Sequence, residues 1–142
     1  MYELFPYSNI LAGGLVLIVG FGIHWLNQLS LFLNWELMPR HGFGINLADS
    51  PKGYDRFIAI SDITLGWMYG IIGIGLFMGT DWGYLLSWIP GVILTLEGIS
   101  YWIVTSGKHV HEKSYSYFTR IEWSALNLVS GLFIIAVAWN AL

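Results

Sequence analysis

Eight polar side chains, within or beside long apolar stretches, are the residues of this sequence with the clearest chemical potential. The eight are His24, Asn27, Gln28, Asp62, Glu97, Tyr101, Arg120 and Asn127. A charged side chain in hydrocarbon costs at least about 2.5–3.5 kcal/mol, so an ionisable residue there indicates a functional site. Glu97, whose one deep companion is His24, is therefore a candidate proton carrier or ligand anchor. Asn27, Gln28 and Asn127, taken singly, are typical of side chains that hydrogen-bond helices together.

The same residue types exclude several kinds of site. The sequence has no cysteine, which excludes disulfides, iron–sulfur clusters and thiolate catalysis. Haem bound between helices needs two histidines at matching depth, and only His24 lies in an apolar segment, so we expect no haem. His24, Asp62 and Glu97 lack the spacing of a metal-ligand motif, so we predict no metal site. The sequence shows no nucleotide-binding loop or catalytic motif, and we expect no nucleic acid as a partner.

Four apolar segments must position these residues. Hydrophobic residues make up 56% of the chain and charged residues only 11%, whereas soluble domains carry about 25% charged residues. A membrane-spanning helix needs about 20 mostly apolar residues, and the segments that qualify are residues 9–33, 57–79, 84–105 and 117–141. We therefore predict an all-α fold, a polytopic membrane protein in which residues 1–142 form a single four-transmembrane-helix bundle. The first segment lacks a signal-peptide pattern, so we expect it to stay in the mature protein.

Short motifs refine the ends and the packing of these segments. The pair Ser50–Pro51 is typical of a helix start, so the second helix should begin before its apolar stretch. Thr80 or Asp81 is expected to cap the third helix. Glycines spaced four residues apart in the second segment favour close packing within the chain, with a homodimer seam as the alternative. These glycines are Gly66, Gly70, Gly75 and Gly79.

All basic residues lie in two stretches, which predicts the orientation in the membrane. They are Arg40, Lys52, Arg56, Lys108, Lys113 and Arg120. Because lysine and arginine concentrate in cytoplasmic loops, the loops at residues 34–56 and 106–116 should face the cytoplasm. Both termini and the turn at Asp81 are then extracytoplasmic, in a multi-pass protein of the cell membrane.

Depth and helical phase bring the eight polar residues to one side of the membrane. With a rise of about 1.5 Å per residue, all eight belong to the cytoplasmic half, and the other half has almost nothing polar. His24 shares a helical face with Gly20 and Gly13. Each helix presents one polar face at a similar depth, so we predict a polar cavity that opens toward the cytoplasm and is lined by the eight residues.

Two pairs of side chains are expected across this cavity. Arg120 is the natural partner of Asp62, since both lie near the inner boundary of the membrane. His24 and Glu97 are expected to meet deeper. Glu122 lies off the polar face of its helix, so we interpret it as a charge at the membrane rim.

The second segment carries a resemblance to a known group of proteins. Residues 53–66 read Gly-Tyr-Asp-Arg-Phe-Ile-Ala-Ile-Ser-Asp-Ile-Thr-Leu-Gly, so the acidic Asp62 precedes a glycine-rich helix. This pattern, together with the four-helix layout, resembles the DoxX-like small integral membrane proteins. Some members of that group are associated with quinone-linked oxidoreductase complexes. The resemblance therefore implies association with a membrane complex and makes Asp62 a position of interest.

These features favour a non-catalytic membrane subunit whose cavity binds a small amphipathic molecule, such as a lipid or a quinone. Its expected partners are the lipid bilayer and either other membrane subunits or a second copy of itself. A small proton-coupled transporter that uses Glu97 and His24 is one alternative. A membrane enzyme acting on a lipid, with His24 and either Glu97 or Asp62 as acid and base, is another.

Overall fold

Every element of secondary structure that the structure describes is a helix. The computed structural model describes residues 4–26, 28–29, 33, 52–105 and 117–141, with side chains at all of these except 52–59, 61–62, 104–105 and 117–120. Helix α1 (Ser8–Leu15) continues without a break into a π-helical segment (Val16–Leu26). The helices that follow are α2 (Lys52–Phe77), α3 (Asp81–Leu86), α4 (Trp88–Thr105) and α5 (Tyr117–Asn140). The predicted all-α class is confirmed for this part of the chain.

Three stretches of helix are long and apolar enough to cross a membrane. They are Ser8–Leu26, Asp81–Ile103 and Ile121–Asn140, and α2 adds a shorter apolar stretch, Ile63–Phe77. Length and composition therefore point to a membrane location, which agrees with the class predicted from the sequence. The fourth span and the sides on which the termini lie stay predictions.

The outward-facing side chains of the helices are mostly large and apolar. Ile18, Ile74, Ile103 and Val129 are among the many large hydrophobic side chains that are exposed, while a narrow core that includes Leu94 is buried. An apolar surface this extensive is stable against lipid or another protein, not against water. The helices therefore turn their apolar side chains outward as well as inward, as spans in a bilayer do.

Two of the helix boundaries differ in an informative way from the predicted segments. α2 is already helical at Lys52, so the prediction that it begins before its apolar stretch is confirmed. The predicted third helix, residues 84–105, is divided into α3 and α4 at Ser87. Pro90 explains the division, because its ring nitrogen has no hydrogen to donate to the carbonyl of Leu86, four residues earlier. At the same point, the Ser87 hydroxyl donates to the carbonyl oxygen of Tyr84 at 2.7 Å.

At the end of the bundle where the α2–α3 turn lies, polar side chains form hydrogen bonds with backbone groups of the helix termini. The Asn9 amide donates to the carbonyl oxygens of Leu76 and Phe77, at 3.4 and 3.3 Å, at the end of α2. Thr80 caps α3, accepting a hydrogen bond from the backbone N–H of Gly83 at 3.2 Å. Thr80 was one of the two residues expected to cap this helix, and that expectation is confirmed.

The helices associate as two tight pairs that are joined through the first helix. The first helix, α1 with the π-helical segment, packs along α2, and α4 packs along α5. Small residues permit both close approaches. A Cβ atom on Gly13 would lie 2.5 Å from the backbone nitrogen of Phe77 in α2, and one on Gly98 would lie 2.7 Å from that of Leu128 in α5. At Gly13 and Gly98, the close approach is therefore made by helices of this chain.

Candidate functional site

The π-helical segment packs against α2 through large side chains that cover glycines. The side chains of Leu17, Phe21 and Trp25 lie over Gly73, Gly70 and Gly66 of α2, respectively. A π-helix bonds i to i+5 and holds more residues per turn than an α-helix, and all three side chains belong to the π-helical segment.

His24 contacts different helices from the two glycines with which it was expected to share a face. The sequence predicted that His24 shares a face with Gly13 and Gly20, because α-helical spacing was assumed. Gly13 and Gly20 lie against α2, the latter under the ring of Tyr69. The His24 side chain instead reaches residues of α4 and α5. Gly13 and Gly20 therefore contact α2, whereas His24 contacts α4 and α5, so the three residues do not share one partner helix.

His24 lies between one polar side chain of α4 and one of α5. Its Nε2 atom is 2.8 Å from Oδ1 of Asn127, and its Nδ1 atom is 3.4 Å from Oε2 of Glu97. The side chains of His24 and Glu97 are 19% and 30% exposed, while Asn127 is only 3% exposed. The expected meeting of His24 and Glu97 is therefore confirmed. We call His24, Glu97 and Asn127 the His24 cluster.

The orientation of the Asn127 amide is set by its own helix. Its Nδ2 atom donates to the carbonyl oxygen of Trp123 at 3.1 Å. Since a carbonyl oxygen only accepts, the amide nitrogen must face Trp123, and Oδ1 is left to face His24. Oδ1 in turn only accepts, so Nε2 of His24 is the donor of their hydrogen bond. The Trp123 carbonyl is thus a part of the site that side-chain reasoning missed.

Close packing of α4 against α5 brings Glu97 and Asn127 to the same histidine. A Cβ on Gly98 would lie 2.8 Å from the carbonyl oxygen of Ser124, one turn before Asn127. Gly131 of α5 is pressed against Thr95 of α4 in the same seam. The small residues Gly91, Thr95 and Gly98 follow each other at helical spacing in α4. That spacing was the available signal for this seam.

Ser124, one turn before Asn127, has a buried hydroxyl that forms no hydrogen bond within the described residues. It is buried, and its Oγ atom has no hydrogen-bond partner within the part of the chain that the structure describes. Ser124 lies one turn before Asn127 on the same face of α5, as helical phase predicted. A buried hydroxyl without a partner is destabilising, which makes this position a useful comparison for Asn127.

The other predicted cavity residues are distributed around the cluster or lie outside the described side chains. Tyr101, one turn after Glu97 on α4, and Gln28 are both partly buried. Asn27 lies outside the described residues, and the side chains of Asp62 and Arg120 lie outside the described ones. The expected pair of Arg120 with Asp62 therefore stays a prediction. Glu122 is exposed, as expected of a rim charge.

The opposite end of the bundle is more polar than the sequence indicated. Ser8, Asn9, Ser87 and Ser130 are all buried, whereas almost nothing polar was expected in that half. Asn9 and Ser87 bond backbone carbonyls, as described above, so these side chains complete helix ends. The Ser87 bond is local to its own helix, and bonds of this kind leave little trace in a hydrophobic pattern.

The cluster combines a base, an acid and a fixed amide in a small volume. Imidazole and carboxyl groups can exchange a proton, and both can hydrogen-bond a polar group of a ligand. Within the described residues, no group of three or more metal-ligating side chains is arranged to hold a metal ion. The arrangement is suited to hydrogen bonding and proton exchange.

Comparison of the chain with protein-family models, with curated proteins and with solved structures found no match. The resemblance to the DoxX-like group stays a prediction, and the function is inferred from the His24 cluster and its surroundings.

Proposed function

We propose that this chain is a non-catalytic four-helix membrane subunit that binds the polar head of a small amphipathic molecule at the His24 cluster. The observation that carries the proposal is the partial exposure of a polar pair among apolar neighbours. His24 and Glu97 keep 19% and 30% of their side-chain surface accessible. Leu26 and Leu96, beside them in sequence, are 47% and 57% exposed. A molecule with a polar head and an apolar tail, such as a lipid or a quinone, complements this surface.

In this proposal α2 also crosses the membrane, in addition to the three longer apolar stretches. It has 26 residues, which at about 1.5 Å per residue is about 39 Å, longer than the hydrocarbon core of about 30 Å. With four spans, the two stretches that contain all lysines and arginines lie on the same side. The positive-inside rule then makes that side the cytoplasm. The His24 cluster would open toward it, where a larger membrane complex can deliver or receive the ligand.

Mass spectrometry of the gently purified protein tests the binding proposal. The wild type is compared with Glu97→Gln and with Glu122→Gln, which removes the exposed rim carboxyl. We expect one class of lipid or quinone to accompany the wild type and the Glu122 variant and to be depleted in the Glu97 variant. Equal amounts in all three proteins would show that the cluster only holds helices together. Co-purifying membrane proteins in the same sample would identify the complex.

Proton-coupled transport is the second candidate, because an imidazole beside a carboxyl is a plausible proton carrier. It predicts a pH-dependent flux in liposomes that contain only this protein. Glu97→Gln should abolish that flux, and Glu122→Gln should preserve it. A flux that survives the Glu97 change would exclude this mechanism.

A further inference from the structure

We infer that the apolar tail of the bound molecule leaves the His24 cluster sideways, through a cleft between α2 and α4 that opens to the bilayer beside Leu65. The inference rests on the proposed function and concerns the part of the ligand that the cluster does not hold. The ligand is then a bilayer-resident molecule with a long acyl or isoprenoid chain, which enters from the membrane. We call this opening, between Leu65 on α2 and Ile93 to Ser100 on α4, the α2–α4 cleft.

The packing of the helices leaves this side of the bundle open. Within the described residues, α2 packs along the first helix and against α3, while α4 packs along α5, and α2 has little direct contact with α4. At the α3 end the same side is closed, because a Cβ atom on Gly83 of α3 would overlap the backbone of Gly75 in α2. The space between α2 and α4 therefore narrows to a backbone contact at α3 and widens away from it.

One face of α2 changes from buried to exposed with distance from α3. Leu65 lies within about 20° of both Ile72 and Leu76 around the helix, because seven and eleven residues are close to whole numbers of turns. Ile72 and Leu76 are 3% and 0% exposed, whereas Leu65 is 55% exposed. Leu76 shares the buried core cluster with Leu94 of α4, so this face of α2 points toward α4. At Leu65 the same face has lost its cover.

The side of α4 that carries Glu97 changes in the same way. Ile93 packs against the buried core, while Ser100, seven residues later and within about 20° of it, is exposed. Glu97 lies between them, one turn after Ile93, and its Oε2 atom is 3.4 Å from Nδ1 of His24. The polar pair therefore lies where the cleft begins to open, and it is continuous with the uncovered face of α2.

Leu65 and Glu97 lie at similar depths on the two sides of the cleft. Leu65 precedes the end of α2 at Phe77 by about 18 Å along the helix, and Glu97 follows the start of α3 at Asp81 by about 24 Å. Both distances start at the α2–α3 turn, so Leu65 is about one helical turn nearer to the α3 end than Glu97. An apolar chain whose polar head is held at Glu97 and His24 passes Leu65 on its way into the hydrocarbon.

The shape of the cleft favours a flexible chain over a further helix as its occupant. A helix with its side chains is about 10–12 Å across, whereas the cleft narrows to a backbone contact between Gly75 and Gly83. A hydrocarbon chain can follow such a narrowing space. The cleft also joins a polar pair to an exposed leucine, so the head and the tail of one molecule match its two ends. A helix of a partner or of a second copy is the occupant that the experiments below must exclude.

Ligand retention with a bulkier side chain at Leu65 tests the path of the tail. Leu65→Trp is compared with Ile74→Trp, because Ile74 is 52% exposed and lies on the opposite face of the same helix, about 180° away. We expect the ligand that accompanies the wild type to be depleted in Leu65→Trp as it is in Glu97→Gln, and to be retained in Ile74→Trp. Unfolding in detergent checks that both variants are folded. Full retention in Leu65→Trp would overturn the inference and leave the binding of the head intact.

Photo-cross-linking in the membrane tests the occupant without requiring that it survive purification. Photo-leucine, a diazirine analogue close to leucine in size, replaces residue 65 or residue 74, and mass spectrometry identifies the adducts. We expect one class of lipid or quinone to be enriched at residue 65 over the mixture captured at residue 74. The same mixture at both positions, or an adduct with a polypeptide at residue 65, would overturn the inference. If the enrichment persisted in Glu97→Gln, the chain would occupy the cleft without the cluster, which would contradict the proposed function and not the cleft.

Discussion

Asn127 connects the first helix to α5 with a single buried side chain. Its Oδ1 accepts from His24 at 2.8 Å, and its Nδ2 donates to the Trp123 carbonyl at 3.1 Å. Both atoms of the amide are therefore used, and neither has water as an easy substitute, because Asn127 is 3% exposed. From the sequence, Asn127 was interpreted as a side chain that hydrogen-bonds helices together. In the structure it also determines that Nε2 of His24 carries a hydrogen.

Replacing Asn127 by leucine should destabilise the protein by about 1–2 kcal/mol. A lost partner leaves a mostly buried N–H of His24 unsatisfied, which costs about 1–3 kcal/mol in soluble proteins. Measured side-chain bonds in membranes are weaker, averaging about 0.6 kcal/mol, so the lower part of that range is expected. Unfolding of the protein in mixed detergent micelles with increasing dodecyl sulfate measures the difference in free energy.

The matched control is Ser124→Ala, one turn earlier on the same face of α5. Its hydroxyl is buried without a partner within the described residues, so removing it should leave the free energy of unfolding unchanged or slightly higher. If Ser124→Ala were as destabilising as Asn127→Leu, burial in this seam and not the hydrogen bond would explain both effects.

At the scale of the element, the π-helical segment carries His24 and Trp25, whose side chains bond to α5 and α2, respectively. Deleting Gly22 removes the extra residue of one wide turn and returns the following residues toward α-helical phase. One residue corresponds to about 100° of rotation, so His24 and Trp25 cannot both keep their partners. We expect the deletion to lose the nitrogen-15 signature of a hydrogen-bonded Nε2 and to lower stability in the same detergent titration.

Gly22→Ala provides the comparison for this deletion, because it changes the residue and keeps the length. A Cβ on Gly22 would meet only the Leu17 carbonyl oxygen, at 3.4 Å, so the substitution should be tolerated. A deletion variant that behaved like Gly22→Ala would mean that the direction of His24 does not depend on the π-helical turn.

The seam between α4 and α5 should be intolerant of even one methyl group at Gly98. The added Cβ would lie 2.7 Å from the Leu128 nitrogen and 2.8 Å from the Ser124 carbonyl oxygen. Both are backbone atoms, so the helices must move apart, and overpacking of this kind costs about 1–3 kcal/mol. Gly98→Ala should therefore lower the unfolding free energy and deplete the co-purifying ligand, since Glu97 moves with α4.

Gly14→Ala is the matched control for Gly98→Ala, because the added methyl group has room at this position. A Cβ there would meet nothing within 4 Å, and alanine favours the helix over glycine by about 0.5–1 kcal/mol. We expect a small gain in stability with ligand retention unchanged. Equal losses at Gly14 and Gly98 would indicate a general sensitivity to alanine and not a specific helix contact.

The helices could be predicted from the sequence, while the shape of the first one could not. Apolar length alone indicates a span, because the bilayer imposes the same minimum on every crossing. The segment Val16–Leu26 is apolar on all sides apart from His24, so its own residues favour neither α nor π bonding. Phe21 and Trp25 fit over Gly70 and Gly66, which is a long-range contact that a local pattern does not contain.

For the whole molecule, depth was a better guide to the site than helical phase. His24 and Glu97 were expected to meet because both lie deep in their segments, and they are 3.4 Å apart. Depth depends on the residue count and the rise per residue, whereas helical phase also depends on the number of residues per turn. Polar bonds at helix ends were underestimated for a different reason. Short side chains such as Ser87 act on the backbone next to them and leave little trace in a hydrophobic pattern.

The orientation of the whole bundle can be tested directly because the sequence contains no cysteine. A cysteine introduced at Asp81, which is exposed, should react with a membrane-impermeant maleimide on intact cells if the α2–α3 turn is extracytoplasmic. A cysteine at Lys108 should react only after the membrane is opened, since basic loops stay in the cytoplasm. The unmodified chain gives the background.

The same two labelling sites also test the number of spans. If α2 crosses the membrane together with the three longer apolar stretches, the residue 81 turn and the residue 108 loop are separated by one crossing and must differ in accessibility. Labelling of both sites from the same side would mean that the stretch from Asp81 to Ile103 does not cross, which would contradict the four-span arrangement. If residue 108 reacted on intact cells and residue 81 only after the membrane was opened, the four spans would stand and the orientation of the bundle would be reversed. The His24 cluster would then open away from the cytoplasm.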